Sequence, residues 1–363
     1  MKVQKIRINN QTEDFWIVIG DDHLAVPPID LYLRYLSSVR KSPNTIRSYA
    51  YHLKEFWLFL SLKNYSWNEI GLIEMSEFIN FLKLGTVDVS NIIPFSSKVS
   101  LRSEKTINTI VTAITAFYDY HSRLGSTLAL NDKKLSKSKH KSYKPFLHHI
   151  SKSDFAKHSI LKVKEPKRIP KTLTFEQVNK ILDSCANRRD KFLVVLLYET
   201  GMRIGECLGL RHEDIKSWDS TIHVIYRDDN VNNARAKSQE TRVIDVSVDL
   251  IRRYTDYVVY DFDDIDSDYV FVNIWGENKG QPLSYSTVYT KFSRLAKVLN
   301  IPFSPHIFRH THATELLRSG WDASYVQKRL GHKDIQTTIN TYAHLNDQDL
   351  KEAFQKFKSG EKC

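Results

Sequence analysis

Apolar positions divide the chain into a short β start, a long helical stretch, an interrupted middle and a second, mostly helical half. KVQKIRINN and DFWIVIG read as two short strands around an NNQTED turn, which predicts a hairpin over residues 1–22. From Asp30 to about Gly125 the apolar spacing is helical. In KSPNTIRSYAYHLKEFWLFL, Ser42 caps a helix, Pro43 lies in its first turn, and Ile46, Tyr49, Leu53, Phe56 and Leu60 form one stripe. KTINTIVTAITAFYDY puts Ile107, Ile110, Ile114 and Phe117 on one side of a second helix. Together they predict a small helical domain over residues 23–130, with Lys and Arg on its polar faces.

Residues 131–171 break this pattern. NDKKLSKSKHKSYKPF and KVKEPKRIPK are rich in lysine, poor in acid and interrupted by prolines, which reads as a basic linker, either solvated or laid along a phosphate backbone. Order resumes at TLTFEQVNKIL, where Thr174 and Gln177 have capping-box spacing. Helical segments follow to about Leu210, then IHVIYR and TRVIDV read as paired strands around a long polar turn. SYSTVYTKFSRLAKVL returns to helix, and helical signals continue to the end. There Asp347 can cap a short tail helix whose apolar stripe is Leu350, Ala353, Phe354 and Phe357. The expected fold class is mainly α with a small β-sheet, in two domains, because 363 residues exceed what one core usually serves. The second domain spans residues 172–363.

Composition narrows the partners. A net charge of +11 and a pI near 9.3 point to a polyanion, nucleic acid before a membrane surface. No apolar run reaches the roughly 20 residues needed to cross a bilayer, and MKVQKIRINN lacks the apolar core of a signal peptide. The expectation is therefore a cytoplasmic protein with no membrane partner. Cys185, Cys207 and Cys363 lie far apart and form no CxxC pair, which argues against a disulfide framework or a zinc cluster.

Five stretches of the second half carry candidate chemistry. SPHIFRHTHATEL starts a helix at Pro305 and places His306, Arg309 and His310 at i, i+3 and i+4, three potentially cationic groups on one face that repel unless an anion sits among them. TGMRIGECLGL places Arg203 and Glu206 one turn apart on a helix apolar enough to be core; alone, this reads as a structural ion pair. Lys237 in the turn DDNVNNARAKSQETR, His332 in LGHK and Tyr342 in TTINTY are each weak alone, since an exposed lysine in a turn is ordinarily just solvated. His306 and His310 share the spacing of a zinc-binding helix, but Ile307 and Arg309 between them argue against a dication. The acidic run YDFDDIDSDYVF fails as a calcium loop, because Tyr269 stands where the sharp-turn glycine belongs, and reads instead as a solvated loop before a strand. A DNA-binding module without catalysis explains the charge and the helices equally well.

In order and context these boxes resemble the tyrosine recombinase (phage integrase) family, which pairs an arginine in a TGxRxxE box with a hairpin lysine, an HxxRH box, an LGH box and a following tyrosine. The resemblance covers about residues 25–357, with SPNTIRSYAYHLKEFWLFL similar to the family's helical, SAM-like core-binding domain. The initial hairpin and the chain length further resemble the transposase A branch of site-specific transposons. The resemblance implies a tyrosine recombinase catalytic domain with Arg203, Lys237, His306, Arg309, His332 and Tyr342 as catalytic residues. Glu206 and His310 stand behind the arginines, and no cofactor or metal is required. Arg235, in the same turn as Lys237, is the alternative for the lysine's role. The implied function is site-specific recombination or integration for a transposon or phage, through a 3′-phosphotyrosyl intermediate. The alternatives are type IB topoisomerase-like relaxation and a chromosome-dimer-resolving recombinase. The implied partners are double-stranded DNA recombination sites, a homotetramer in the synaptic complex, and accessory recombinases or directionality factors. In such a ring the tail helix docks on a neighbouring subunit; the alternative is packing on its own domain.

The chemistry asks for these residue types independently. Cutting a phosphodiester without metal needs a nucleophile, here Tyr342, and cations to help deprotonate a phenol of ordinary pKa near 10. It also needs guanidinium forks on the non-bridging oxygens, for which Arg203 and Arg309 suit better than lysine would. Lys237 can protonate the departing 5′ oxygen, while His306 and His332 donate hydrogen bonds or shuttle the tyrosine proton.

Overall fold

The computed structural model describes residues 1–7, 14–85, 100–127, 130, 133–137, 155–166, 170–227, 230–232, 234, 241–262 and 264–331. The chain divides into two compact units, Met1–Lys167 and Arg168–Cys363. The fold is mainly helical with small antiparallel sheets. Among the described residues, no helix is long and apolar enough to cross a membrane.

In the first unit, β1 (Lys2–Arg7) and β2 (Asp14–Ile19) pair antiparallel, with Val3 opposite Val18 and Ile6 opposite Phe15. Four α-helices follow among the described residues: α1 (Pro27–Ser38), α2 (Pro43–Lys63), α3 (Leu72–Leu84) and α4 (Glu104–Arg123). Local chemistry starts α2 where the sequence predicts, since the Ser42 hydroxyl accepts the Thr45 N–H at 3.2 Å and Pro43 opens the first turn. Asn64, at φ 55°, ends it in the left-handed conformation. Ile46, Leu53, Phe56 and Leu60 are buried, and Tyr49 is half-buried at the edge of the stripe. Ile107, Ile110, Ile114 and Phe117 of α4 meet them in an aromatic-rich core, where Phe56 and Phe78 pack edge to face at 5.0 Å.

The stretch read as a basic linker contains regular structure. Within it β3 (Lys133–Lys137) pairs antiparallel with β4 (Phe155–Ser159). Further on, the amide of Asn108 on α4 donates to the Val163 carbonyl at 2.9 Å, and its oxygen accepts the Val163 N–H at 2.8 Å. That reciprocal pair fastens the start of the proline-containing segment to the helical core, with Leu161 buried beside it.

In the second unit, α5 (Phe175–Asp183) opens with the expected capping box: the Thr174 hydroxyl accepts the Gln177 N–H, and the Gln177 side chain accepts the Thr174 N–H. The central helix is α6 (Arg188–Thr200), which touches α5, α8 (Val248–Asp261) and α10 (Pro305–Arg318). Phe192, Leu193, Val194, Leu196 and Leu197 are all buried, because this helix has neighbours on most sides. The short α7 (Ile204–Leu208) leads into a sheet ordered β5 (Ile215–Lys216), β6 (Thr221–Val224), β7 (Arg242–Asp245). Ile222 lies opposite Ile244, and Val224 opposite Arg242. The acidic run falls at the end of α8 and in the loop after it, where Asp261 accepts the Arg188 backbone N–H at 2.9 Å. α9 (Tyr285–Leu299) and α11 (Ala323–Leu330) complete the described helices.

Candidate active site

The TGMR turn shows why its glycine is needed. α6 ends at Gly201 with φ +61°, a conformation that L side chains rarely adopt. A Cβ there would also lie 2.7 Å from Cδ2 of His312 and 2.8 Å from Cδ2 of Leu330. Glycine thus lets the ends of α6 and α11 close on α10.

Periodicity places Arg203 and Glu206 together on one helix; the structure corrects this. Arg203 is extended (φ −72°, ψ 144°) and caps α7 from outside, while Glu206 is in the helix's first turn. The Glu206 carboxylate accepts the Arg203 backbone N–H at 2.9 Å and its guanidinium Nη1 at 3.0 Å. One acidic side chain therefore starts the helix and holds the arginine.

Glu206 has a second guanidinium that sequence reasoning missed. Arg242, at the start of β7, donates to both carboxylate oxygens, Nη2 to Oε2 at 2.6 Å and Nη1 to Oε1 at 3.3 Å. Burial alone would raise the Glu206 carboxyl, but the bond and charge of Arg242, and then those of Arg203, hold it below the usual carboxylate range. A signal for Arg242 did exist in the sequence. It stands two residues before Ile244 on a strand, so both face the same way, and an arginine beside a core residue calls for a partner.

Arg309 on α10 is 5% exposed. Its Nη1 donates to the Gly201 carbonyl and its Nη2 to the Leu330 carbonyl, both at 2.8 Å. Arg203 Nη2 donates to the next carbonyl, Gly331, at 3.2 Å. The two box arginines are thus fastened to adjacent backbone oxygens at the end of α11, where helix carbonyls lack internal partners and the dipole favours cations. This accounts for the first two letters of the LGH box. Leu330 fills a small core with Ala313 and Val326, while Gly331 (φ +65°) leaves no room for a Cβ, which would lie 2.8 Å from Arg242 Nη1.

Of the remaining expected residues, His306 is exposed at the start of α10 and His310 is half-buried one turn on. Burial lowers the His310 pKa, and the charges of His306 and Arg309 lower it further, which is the repulsion expected on that face. Lys237, Arg235, His332, Tyr342 and the tail stripe from Leu350 to Phe357 lie outside the described residues.

His312 is a further residue that sequence reasoning passed over. Its Nε2 accepts Nε of Arg329 at 3.1 Å, and Arg329 also donates to the carbonyls of Glu199 and Asp245. Burial, reinforced by Arg329, pushes the His312 pKa down to about 3, so the ring is neutral in the folded protein. The unfolded chain takes up a proton below about 6.5, so His312 contributes full stability above that pH and loses it as pH falls towards 3. His312→Gln keeps an acceptor for Arg329 without the titration. Its melting temperature is expected to fall less steeply below pH 6.5 than the wild type's; parallel slopes in a thermal-melt series would contradict this.

Comparison with known proteins places this arrangement. The family model for the phage integrase family matches residues 171–349, and that for its N-terminal SAM-like domain matches residues 29–125. Over 98% of its length, and 98% of the relative's, the chain is 40% identical to Transposase A from transposon Tn554 of Staphylococcus aureus. The chain belongs to the phage integrase family of tyrosine recombinases. Within that family it is also 27% identical to the tyrosine recombinase XerA of Pyrococcus horikoshii, over 91% of this chain and 93% of that one. Among solved structures it resembles the Tn1549 transposon integrase in complex with transposon right end DNA. There the TM-score is 0.60 at 18% identity, covering 91% of this chain and 99% of the other. A lambda integrase dimer bound to a core site matches with a TM-score of 0.58 at 15% identity, over 88% and 97% of the two chains. These two likenesses speak for the fold. In this tyrosine recombinase, the TGMR, HIFRH and LG boxes meet through backbone carbonyls.

Proposed function

We propose that this tyrosine recombinase is the transposase of a mobile element, breaking and rejoining double-stranded DNA at specific sites. The observation that carries the reading is the pair of anchored guanidiniums, Arg203 and Arg309, held on the Gly331 and Leu330 carbonyls. Two preorganised forks at one helix end suit a pentacoordinate phosphate, whose charge is spread over its non-bridging oxygens. Whole-length similarity to a transposon's transposase supports the mobile-element role.

In this reading the Tyr342 phenolate oxygen attacks phosphorus, a P–O bond to tyrosine forms, and the bond to the 5′ oxygen breaks. The departing oxygen takes its proton from Lys237, and the tyrosine's proton passes to His306 or His332. Attack of a 5′ hydroxyl on the phosphotyrosine reverses these steps on a new strand, so bond energy is conserved and no ATP is needed. Glu206 and His310 orient the arginines. Residues 23–130 bind DNA as the core-binding domain, residues 131–171 lie along its backbone, and residues 172–363 carry the chemistry. Synapsis uses a homotetramer, with the tail helix of one protomer docked on the next and accessory factors setting direction.

The experiment is covalent trapping in EDTA. The purified protein is mixed with DNA carrying the transposon ends, denatured, and the linked peptide and the attached strand are both sequenced. The expected result is a 3′-phosphate ester on Tyr342 at one defined DNA position. Relaxation of supercoils with adducts scattered over the DNA would point instead to topoisomerase-like activity, and dependence of the adduct on magnesium or manganese would overturn the metal-free mechanism.

A further inference from the structure

We propose that Arg242 is a positioning residue for cleavage, acting on Arg203 through Glu206; this rests on reading Arg203 as a ligand of the scissile phosphate. Three observations carry it. First, Glu206 is full. Its side chain is 0% exposed, and among the described residues it receives four donors: the backbone and Nη1 of Arg203, and Nη1 and Nη2 of Arg242. A carboxylate offers about four lone-pair directions, so no acceptor capacity is left over.

Second, the charges are unequal. Two guanidiniums share one carboxylate, so the cluster keeps one positive charge. Arg242, with its side chain 11% exposed, holds Glu206 by both oxygens and is the more enclosed of the two. Arg203, at 19%, gives that carboxylate one nitrogen of its fork and the Gly331 carbonyl the other, and as the more exposed of the two it is the one placed to share its charge with a phosphate. Without Arg242 the whole negative charge of Glu206 would fall on Arg203 and compete with the DNA.

Third, Arg242 braces the turn that holds both box arginines. Its Nε donates to the Arg329 carbonyl at 3.0 Å, and its guanidinium lies against Gly331 where a side chain would not fit. One residue on β7 thus links the carboxylate behind Arg203 to the backbone just before the carbonyls of Leu330 and Gly331. A lysine could supply the charge, but not a fork that reaches two oxygens and a carbonyl together.

The test uses full-length Arg242→Gln and Arg242→Lys, with thermal melts, DNA affinity, and the single-turnover rate of adduct formation at saturating DNA. Misplacing a reacting group by about an ångström typically costs on the order of a hundredfold in rate. Arg242→Gln is expected to lose about that much while DNA affinity is unchanged, and Arg242→Lys to recover part of it. In an Arg203→Ala background, Arg242→Gln should add little further loss, because its effect passes through Arg203. A folded Arg242→Gln that cuts at the wild-type rate overturns the inference, as does a loss that multiplies in full with that of Arg203→Ala. If Arg242→Gln does not fold, Arg242→Lys carries the test: slow cleavage with intact binding supports positioning, and wild-type cleavage removes it. Arg203→Ala alone cutting at the wild-type rate would instead remove the reading of Arg203, which keeps the two failures apart.

Discussion

Tyr342→Phe is expected to bind DNA as the wild type does and to form no covalent adduct at all. The substitution removes one oxygen, the only atom of the ring that can bond to phosphorus, and leaves the ring's bulk in place. Affinity should survive because phosphate contacts are many and spread over a chain of net charge +11, so no single phenol hydroxyl decides it. Denaturing gels on labelled DNA, read beside a binding titration, make the comparison. An adduct that persists in Tyr342→Phe would move the nucleophile to another tyrosine; Tyr325 on α11, 61% exposed, is the first to examine.

The second large effect separates the two box arginines. Arg309→Ala should lose both cleavage and stability, whereas Arg203→Ala should lose cleavage with a smaller change in melting temperature. For cleavage the reasoning is shared, since removing one preorganised donor typically costs about a hundredfold or more. For stability the surroundings differ. Arg309 is buried, and its removal strips hydrogen-bond donors from the Gly201 and Leu330 carbonyls, at about 1–3 kcal/mol for each acceptor left without a partner. Arg203 is more open, and after its loss Glu206 still has both nitrogens of the Arg242 fork. Arg309→Lys keeps the charge but not two parallel donors, so it should stay slow. Equal melting temperatures for Arg203→Ala and Arg309→Ala would show that the carbonyl anchors of Arg309 do not stabilise the fold.

Much of this molecule was legible in its sequence, and the legible parts share a cause. Ser42 and Pro43 start α2, and Thr174 with Gln177 starts α5, through contacts spanning three residues or fewer. The stripe from Ile46 to Leu60 and that from Ile107 to Phe117 face the core because helical spacing alone puts them on one side. The strands IHVIYR and TRVIDV pair as their composition suggests. Arg203 stands out because a guanidinium among apolar residues needs an anion or an acceptor, and Arg309 because it shares a helix face with two histidines.

What the tertiary structure decided lies wherever the partner is distant or has no side-chain identity. Arg203 leaves the helix because Gly201 turns left-handed beneath His312 and Leu330, contacts made across more than a hundred residues. Arg242 is separated from Glu206 by 36 positions and belongs to another element, so no local spacing couples them. The carbonyls of Gly201, Leu330 and Gly331 carry no mark in the sequence at all, since every residue has one. Residue type thus announced Arg203 and Arg309 but not Arg242. Only the packing of α6, α10, α11 and β7 could choose the backbone oxygens that aim them, because aim is set by geometry between elements and not by composition within one.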